Sequence, residues 1–318
     1  MSDFSKVFLR KNELLDYLGL EDSKIYDSEP DFAMRVPFSY AQKIKKNDAN
    51  DPLLRQVIPT VLEHEVHEGF CDDPVGDGSA GRDSGIEQKY EGRILLIAGS
   101  ACSVKCRYCF RRNETCTMPS DLPERLARYL AEKGSIREVI LSGGDPLMTQ
   151  PAMVDQIFES AAKYDSVKTI RIHTRVPLTE PERIKLYMPT FEKFNRRFNE
   201  VIVLHTNHAN ELGGETPEAI AMCRATGIHF LNQSVLLKGV NDSAETLAKL
   251  SEKLFDCGVL PYYLHQLDHA NGVAHFEVSD EKALQIMEGL RRKLPGYLVP
   301  RLVREIAGQP SKTPIENN

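Results

Sequence analysis

The 318-residue chain contains no run of about 18 apolar residues, so no segment is predicted to span a bilayer. It also lacks any dense Lys/Arg tract, and its formal net charge is −6. A general nucleic-acid binder carries a basic patch or stripe, so that class is not expected, whereas a cationic small molecule is weakly favoured. The opening residues, Met1-Ser-Asp-Phe-Ser-Lys-Val-Phe-Leu-Arg-Lys11, have no apolar signal-peptide core. The seven cysteines are not spread as a disulfide framework, and three of them cluster in a way that suits a reducing compartment. A cytoplasmic protein without nucleic-acid or membrane partners is therefore expected. With 41% hydrophobic and 27% charged residues, the chain can bury a sizeable core, as one large α/β domain or two smaller ones.

Residues 1–88 read as a mainly helical extension with polar breaks, ending in a Gly/Asp/Ser-rich loop from Asp72 to Gly85. Beyond it the pattern becomes regular. Short β-branched runs recur at 93–99, 137–142, 168–174, 200–206, 229–237 and 260–267, with helical stretches near 120–133, 150–163, 180–197, 215–226, 242–256 and 279–293. Such alternation implies a parallel sheet. Six units are too few for the eight-stranded barrel, so the expected fold is α/β, a partial (β/α)6 barrel over 89–294, followed by a C-terminal segment at 295–318. Each predicted strand ends in polar residues: the cysteine cluster, Ser142-Gly-Gly-Asp-Pro146, His173-Thr-Arg175, His205-Thr-Asn207-His208, Asn232-Gln-Ser234 and His265-Gln-Leu-Asp268. Barrel active sites are built at the C-terminal ends of strands. Polar groups on six independent strands therefore argue for one active site.

The first of these ends carries the sharpest signal, Cys102-Ser-Val-Lys-Cys106-Arg-Tyr-Cys109. Thiolates hold iron–sulfur clusters, four of them in the usual [4Fe–4S] cube; a trio without a fourth leaves one iron open to a ligand. The competing reading is a structural zinc site completed by Cys116, although zinc ligands usually come as two separated pairs. Cys71, Cys223 and Cys257 are scattered and read as ordinary thiols. Gly143 and Gly144 permit a close backbone approach, and alone would pass for a turn. His64-Glu65-Val66-His67 is one residue short of a metalloprotease motif and reads as helix surface.

The C-x3-C-x2-C spacing resembles the radical S-adenosylmethionine (SAM) superfamily. Its likeness implies a [4Fe–4S] cluster on Cys102, Cys106 and Cys109, with SAM on the open iron and near Gly143, Gly144 and Asp145; His205 and Gln233 are weaker candidates. Four further stretches sharpen the likeness: Cys109-Phe-Arg-Arg112, Ser142-Gly-Gly-Asp-Pro-Leu147, Asn232-Gln-Ser-Val-Leu-Leu-Lys-Gly-Val-Asn-Asp242 and Gly296-Tyr-Leu-Val-Pro300. Together they resemble the lysine 2,3-aminomutase family, from about residue 85 onward. That resemblance implies pyridoxal 5′-phosphate (PLP) on Lys312, its phosphate near Lys89, Tyr90, Arg93 and Arg175. It also implies a substrate L-lysine held by Arg111 at its carboxylate and by Asp268 and Glu305 at its side-chain ammonium. Arg35-Val-Pro37, Asp51-Pro-Leu-Leu-Arg-Gln56 and the short C-terminal end look like the branch that makes (R)-β-lysine for translation elongation factor P. The implied partners are a reducing electron donor such as flavodoxin or ferredoxin and a ligase attaching β-lysine to the elongation factor. A homo-oligomer is compatible with the sequence. A radical SAM enzyme without PLP, a glutamate-type aminomutase and a zinc-stabilised binding module remain the alternatives.

Overall fold

The computed structural model describes residues 6–77, 85–114 and 117–316. Two ribbons, β1 (Val7–Phe8) and β2 (Val36–Pro37), pair antiparallel around α1 (Lys11–Leu18), α2 (Phe38–Ala41) and α3 (Pro52–Arg55). Asp51 caps α3 by accepting from the amides of Leu53 and Leu54 at 2.7 and 3.0 Å, satisfying donors a helix start leaves open. Leu14, Leu15, Leu18, Tyr40, Leu53, Leu54 and Val57 form a core of their own here, separate from the main one. It reaches the rest of the protein through Val104 and Cys106 of the cysteine loop.

The main sheet has nine strands in the order β11-β10-β9-β8-β7-β6-β5-β4-β3. β3 (Ile86–Tyr90) pairs antiparallel with β4 (Arg93–Ile97). From β4 the pairing is parallel through β5 (Glu138–Ser142), β6 (Thr169–Thr174), β7 (Asn199–His205), β8 (His229–Val235), β9 (Leu260–His265) and β10 (Arg301–Arg304). β11 (Thr313–Pro314) closes the order, antiparallel to β10. The connecting helices are α4 (Leu122–Glu132), α5 (Pro151–Ala162), α6 (Val176–Thr179), α7 (Met188–Phe194), α8 (Thr216–Arg224), α9 (Ala244–Asp256) and α10 (Asp280–Lys293). All six expected strands occur within a residue or two of their predicted bounds. The predicted helix at 180–197 is a 3-10 turn, Pro181–Leu186, followed by α7.

The sheet also extends past the outer predicted strands. β3 is added at one edge, and β10 and β11 at the other, so Arg301–Arg304 and Thr313–Pro314 continue the sheet. Strand residues alternate between two faces. In β6, Ile170 and Ile172 join the helix-side core while Arg171 and His173 take the other face. The sheet curls far enough for β3 at one edge to reach the end of β10 near the other: Tyr90 of β3 donates to Glu305, just after β10, at 2.7 Å. The result is an incomplete barrel whose open seam is bridged by side chains. Among the described residues, no helix is long and apolar enough to cross a membrane.

Candidate active site

The cysteine loop leaves β4 and is held from both sides. The amide of Gly144 donates to Gly99 O at 2.7 Å and that of Asp145 to Ala101 O at 2.8 Å. A Cβ on Gly143 would stand 2.6 Å from Gly99 O, and one on Gly144 2.6 Å from Ala101 O; Gly143 also has φ +110°, a conformation side chains avoid. The paired glycines thus let the end of β5 lie against the backbone entering Cys102. Asp145 is buried, and its carboxylate is taken up within the protein: it accepts from Thr174 Oγ1 at 2.7 Å, Leu147 N at 3.0 Å and Arg175 N at 2.7 Å. It braces the ends of β5 and β6 to each other, a use its predicted place beside SAM did not anticipate.

The N-terminal extension grips the other side of the loop. Lys105 N donates to Arg35 O and Arg107 N to Gln56 O, and Arg35 Nε donates to Ser103 O at 3.1 Å. Arg107, wholly buried, donates through Nε to Glu63 Oε1 at 2.9 Å and also reaches Glu63 Oε2. Arg112 donates to the same Oε2 at 2.6 Å and to Gly272 O at 2.8 Å. One buried carboxylate therefore fastens two arginines of the cysteine loop. Sequence reasoning passed over Glu63 and looked at the neighbouring histidines; His64 instead bonds Asp27 at 2.7 Å.

The three sulfurs lie at the inner end of this loop. Burial, followed by the charges of Cys109, Asp145 and Cys106, pushes the Cys102 thiol up; burial and Cys106 raise Cys109 to about 11. Cys102 and Cys109 thus resist ionisation as free thiols, and a bound metal, which takes thiolates, removes that resistance. Three cysteines carried on one short loop supply the thiolate donors that a [4Fe–4S] cube takes while one of its irons stays open. Cys116, the candidate fourth zinc ligand, lies outside the described residues.

Arg175 sits on the cysteine side of the barrel mouth. Its Nη1 donates to Cys106 Sγ and to Tyr108 OH, both at 2.8 Å, and Nη2 pairs with buried Glu211. It does not join Lys89, Tyr90 and Arg93, with which it was expected to hold a phosphate. Those three stand at the seam: Lys89 pairs with Asp77 and donates to Val75 O at 3.0 Å, and the Arg93 guanidinium lies 4.5 Å over the Tyr90 ring.

Opposite, the C-terminal segment brings Lys312 to the mouth. Its Nζ lies 2.7 Å from Glu305 Oε2, while Tyr90 OH donates to Glu305 Oε1. Asp268 belongs to the same cluster. Burial raises its carboxyl to about 6, with Lys312 opposing and Glu305 and Asp77 reinforcing the rise. Arg111 donates to Asp77 Oδ2 at 2.8 Å and approaches Gly143 O at 3.4 Å. Asp77, which sequence reasoning missed inside the Gly/Asp loop, thus holds both Arg111 and Lys89.

The inner face between these groups carries His173, His205 and His265. Their Nε2 atoms are buried with no hydrogen-bond partner among the described residues. Burial holds all three below the ordinary histidine range, His205 at about 3; the Lys312 charge adds to the effect at His173 and His265. His205 stacks on Tyr108 with centroids 5.6 Å apart and is in register with Gln233. Buried polar atoms of a native site are normally satisfied, so this row of neutral imidazoles is suited to a bound molecule.

The chain is similar to known proteins along most of its length. Residues 96–251 match the model of the Radical SAM superfamily. The chain is 43% identical over 289 residues to the L-lysine 2,3-aminomutase of Escherichia coli strain K12, covering 90% of this chain and 84% of that protein. The enzyme of the same name from Haemophilus influenzae is 42% identical, covering 89% and 84%. The one from Buchnera aphidicola is 37% identical over all of this chain and 95% of its own length.

Proposed function

Because the chain belongs to the lysine 2,3-aminomutase family of radical SAM isomerases, we propose that it interconverts L-lysine and β-lysine with the help of PLP. A [4Fe–4S] cluster and SAM come with that membership; in this reading Cys102, Cys106 and Cys109 hold the cluster, and Gly143 and Gly144 shape the adjoining SAM site beside His205 and Gln233. Bound there, cluster and SAM supply a hydrogen-abstracting radical, and PLP carries the migrating nitrogen. The chain's own residues fix where that happens. Lys312 provides the amine for PLP, with Lys89, Tyr90 and Arg93 around the phosphate.

The observation that carries the substrate assignment is how the protein satisfies these groups by itself. Arg111 holds a carboxylate, that of Asp77, and Glu305 holds an ammonium, that of Lys312. These are the two charged ends of a lysine molecule. Once Lys312 is engaged with PLP, Glu305 and Asp268 are free to take the substrate's side-chain ammonium, and Arg111 its carboxylate. Two acids in a largely dry pocket discriminate strongly against a substrate lacking that ammonium, because they would be left unpaired. Burial of the mouth keeps water from the reacting carbon and holds it near the radical.

The stereochemistry and fate of the product are the finer part of the proposal. The likeness of Arg35–Pro37 and Asp51–Gln56 to the elongation-factor branch supports (R)-β-lysine, delivered to a ligase acting on elongation factor P. A reductant of the flavodoxin or ferredoxin kind is the expected electron source. The test is anaerobic reconstitution with iron, sulfide and PLP, then SAM, dithionite and L-lysine, with chiral mass spectrometry of the amino acids. (R)-β-lysine that appears only with both PLP and SAM is the expected result. SAM cleavage without β-lysine would overturn the substrate assignment.

A further inference from the structure

We propose that Arg175 sets the reduction potential of the iron–sulfur cluster, through its hydrogen bond from Nη1 to Cys106 Sγ and with Glu211 as its counter-charge. The inference rests on the reading of the three cysteines as cluster ligands.

The geometry gives this arginine little freedom to serve elsewhere. Nη1 is shared by Cys106 Sγ and Tyr108 OH, each at 2.8 Å, and Nη2 is paired with Glu211. The backbone amide is fixed by Asp145 Oδ2 at 2.7 Å, and the guanidinium lies 5.6 Å from the centre of the buried Tyr40 ring. Glu211 is in turn immobile: its Oε1 accepts from Asn207 N at 2.9 Å, His208 N at 3.0 Å and Gln56 Nε2 at 3.3 Å. Arg175 is 6% exposed and Glu211 not at all. The pair is therefore a fixed dipole in a dry setting, with its positive end on a sulfur of the cysteine loop.

Reducing the cluster by one electron adds negative charge beside that sulfur. A cationic donor to the thiolate favours the reduced form, and hydrogen bonds to cluster sulfurs are an established lever on potential. Low local dielectric strengthens the effect. Glu211 works against it, so removing either member of the pair shifts the potential, in opposite directions. A merely structural role for the pair gives no such opposition. Arg175 acts through Cys106 and is in this sense a positioning residue, one that tunes the metal group without touching substrate.

The test compares the anaerobically reconstituted holoprotein with its Arg175→Lys and Glu211→Gln variants in an EPR-monitored redox titration without SAM. Arg175→Lys loses the planar fork and is expected to move the midpoint to more negative potential; Glu211→Gln is expected to move it the other way. Unmoved midpoints, or shifts of the same sign, overturn the proposal. A loss of PLP retention in Arg175→Lys with an unmoved midpoint would return this residue to the phosphate. If neither variant folds, hyperfine spectroscopy of the reduced native holoprotein grown on isotope-labelled arginine decides: a nitrogen coupling to the cluster is expected, and its absence is fatal. Failure of the native chain to take up iron and sulfide would instead refute the cluster reading itself.

Discussion

Replacing Glu63 by glutamine is the sharpest way to ask whether the N-terminal extension builds the cluster site or merely covers it. Glu63 is about as buried as its partners, Arg107 and Arg112, with side-chain exposures of 4%, 0% and 4%. Among the described residues this carboxylate is the one acid paired with either guanidinium, and the rest of Arg107's fork goes to the carbonyl of Phe32 at 2.8 Å. Removing one partner of a buried ion pair typically costs about 3–5 kcal/mol, because the remaining charge stays desolvated. Two cations on one acid place Glu63→Gln toward the upper end of that range. The loss falls on the loop between Cys106 and Cys109, so it should appear as poor cluster assembly before it appears as global unfolding. The measurement is iron and sulfide per chain after anaerobic reconstitution, together with the urea midpoint. Glu65→Gln, which alters an exposed neighbour, serves as control. Glu63→Gln is expected to bind much less cluster and to unfold at lower urea, while the control matches the native chain. Native cluster content and an unchanged midpoint in Glu63→Gln would refute the argument.

Four further outcomes are expected. Lys312→Ala should lose covalent PLP and β-lysine formation while retaining the cluster and SAM cleavage, read by absorbance after borohydride reduction and by deoxyadenosine release. Because burial pushes the Asp268 carboxyl up to about 6, KM for lysine should rise as the pH falls through that value, and Asp268→Asn should remove this limb of the profile. Asp77→Asn should lower KM for lysine, since Arg111 loses its internal carboxylate, and also lower the urea midpoint by leaving Lys89 and Arg111 less compensated; an unchanged KM would exclude competition at Arg111. Glu200, at the far end of β7, is 6% exposed and neither carboxylate oxygen has a partner among the described residues. Burial raises it from its ordinary 4.5 to about 8. A carboxyl raised on folding is stabilising below its unfolded value, and that advantage fades as the pH rises toward its folded value. Glu200→Gln should therefore gain on the native chain by about 3 kcal/mol between pH 4.5 and pH 7, measured as the change in their difference in urea stability; a difference constant with pH would count against a buried acid.

Much of the fold could be read directly from the residues. Val139-Ile-Leu141 and Val201-Ile-Val-Leu204 are apolar because their strands are covered by helices and by each other, and such runs are legible without a structure. β10 was not, since Arg301-Leu-Val-Arg304 is only four residues long and flanked by charge. The strand ends pointed correctly to one mouth, and Arg171-Ile-His173 even displays the alternation of an inward polar face. Which way a long side chain turns at that mouth is a different matter. His173-Thr-Arg175 announces an arginine at a strand end; only packing decides that its fork meets Cys106 and Glu211 and does not meet Lys89. Asp77 was hidden by its setting, because an aspartate among glycines and serines reads as loop chemistry. Lys312 was invisible to local reasoning for the same cause and was singled out by resemblance alone.

The seam bridged by Tyr90, Glu305 and Lys312 bears on how large molecules get in. A fully closed barrel offers a ligand only its narrow rim, whereas PLP and SAM each need a wide approach to reach the floor of the mouth. Here the last post is Lys312, paired with Glu305 and carried on a segment that β11 pins to β10. Swinging that segment aside would open the wall from the side at the cost of the two-residue β10–β11 pair, leaving the strand pairs from β4 to β10 intact. Loading and opening are then linked: engaging PLP takes the Lys312 ammonium out of its pair with Glu305, so the amine that would hold the cofactor is also the one whose capture unfastens this bridge across the seam.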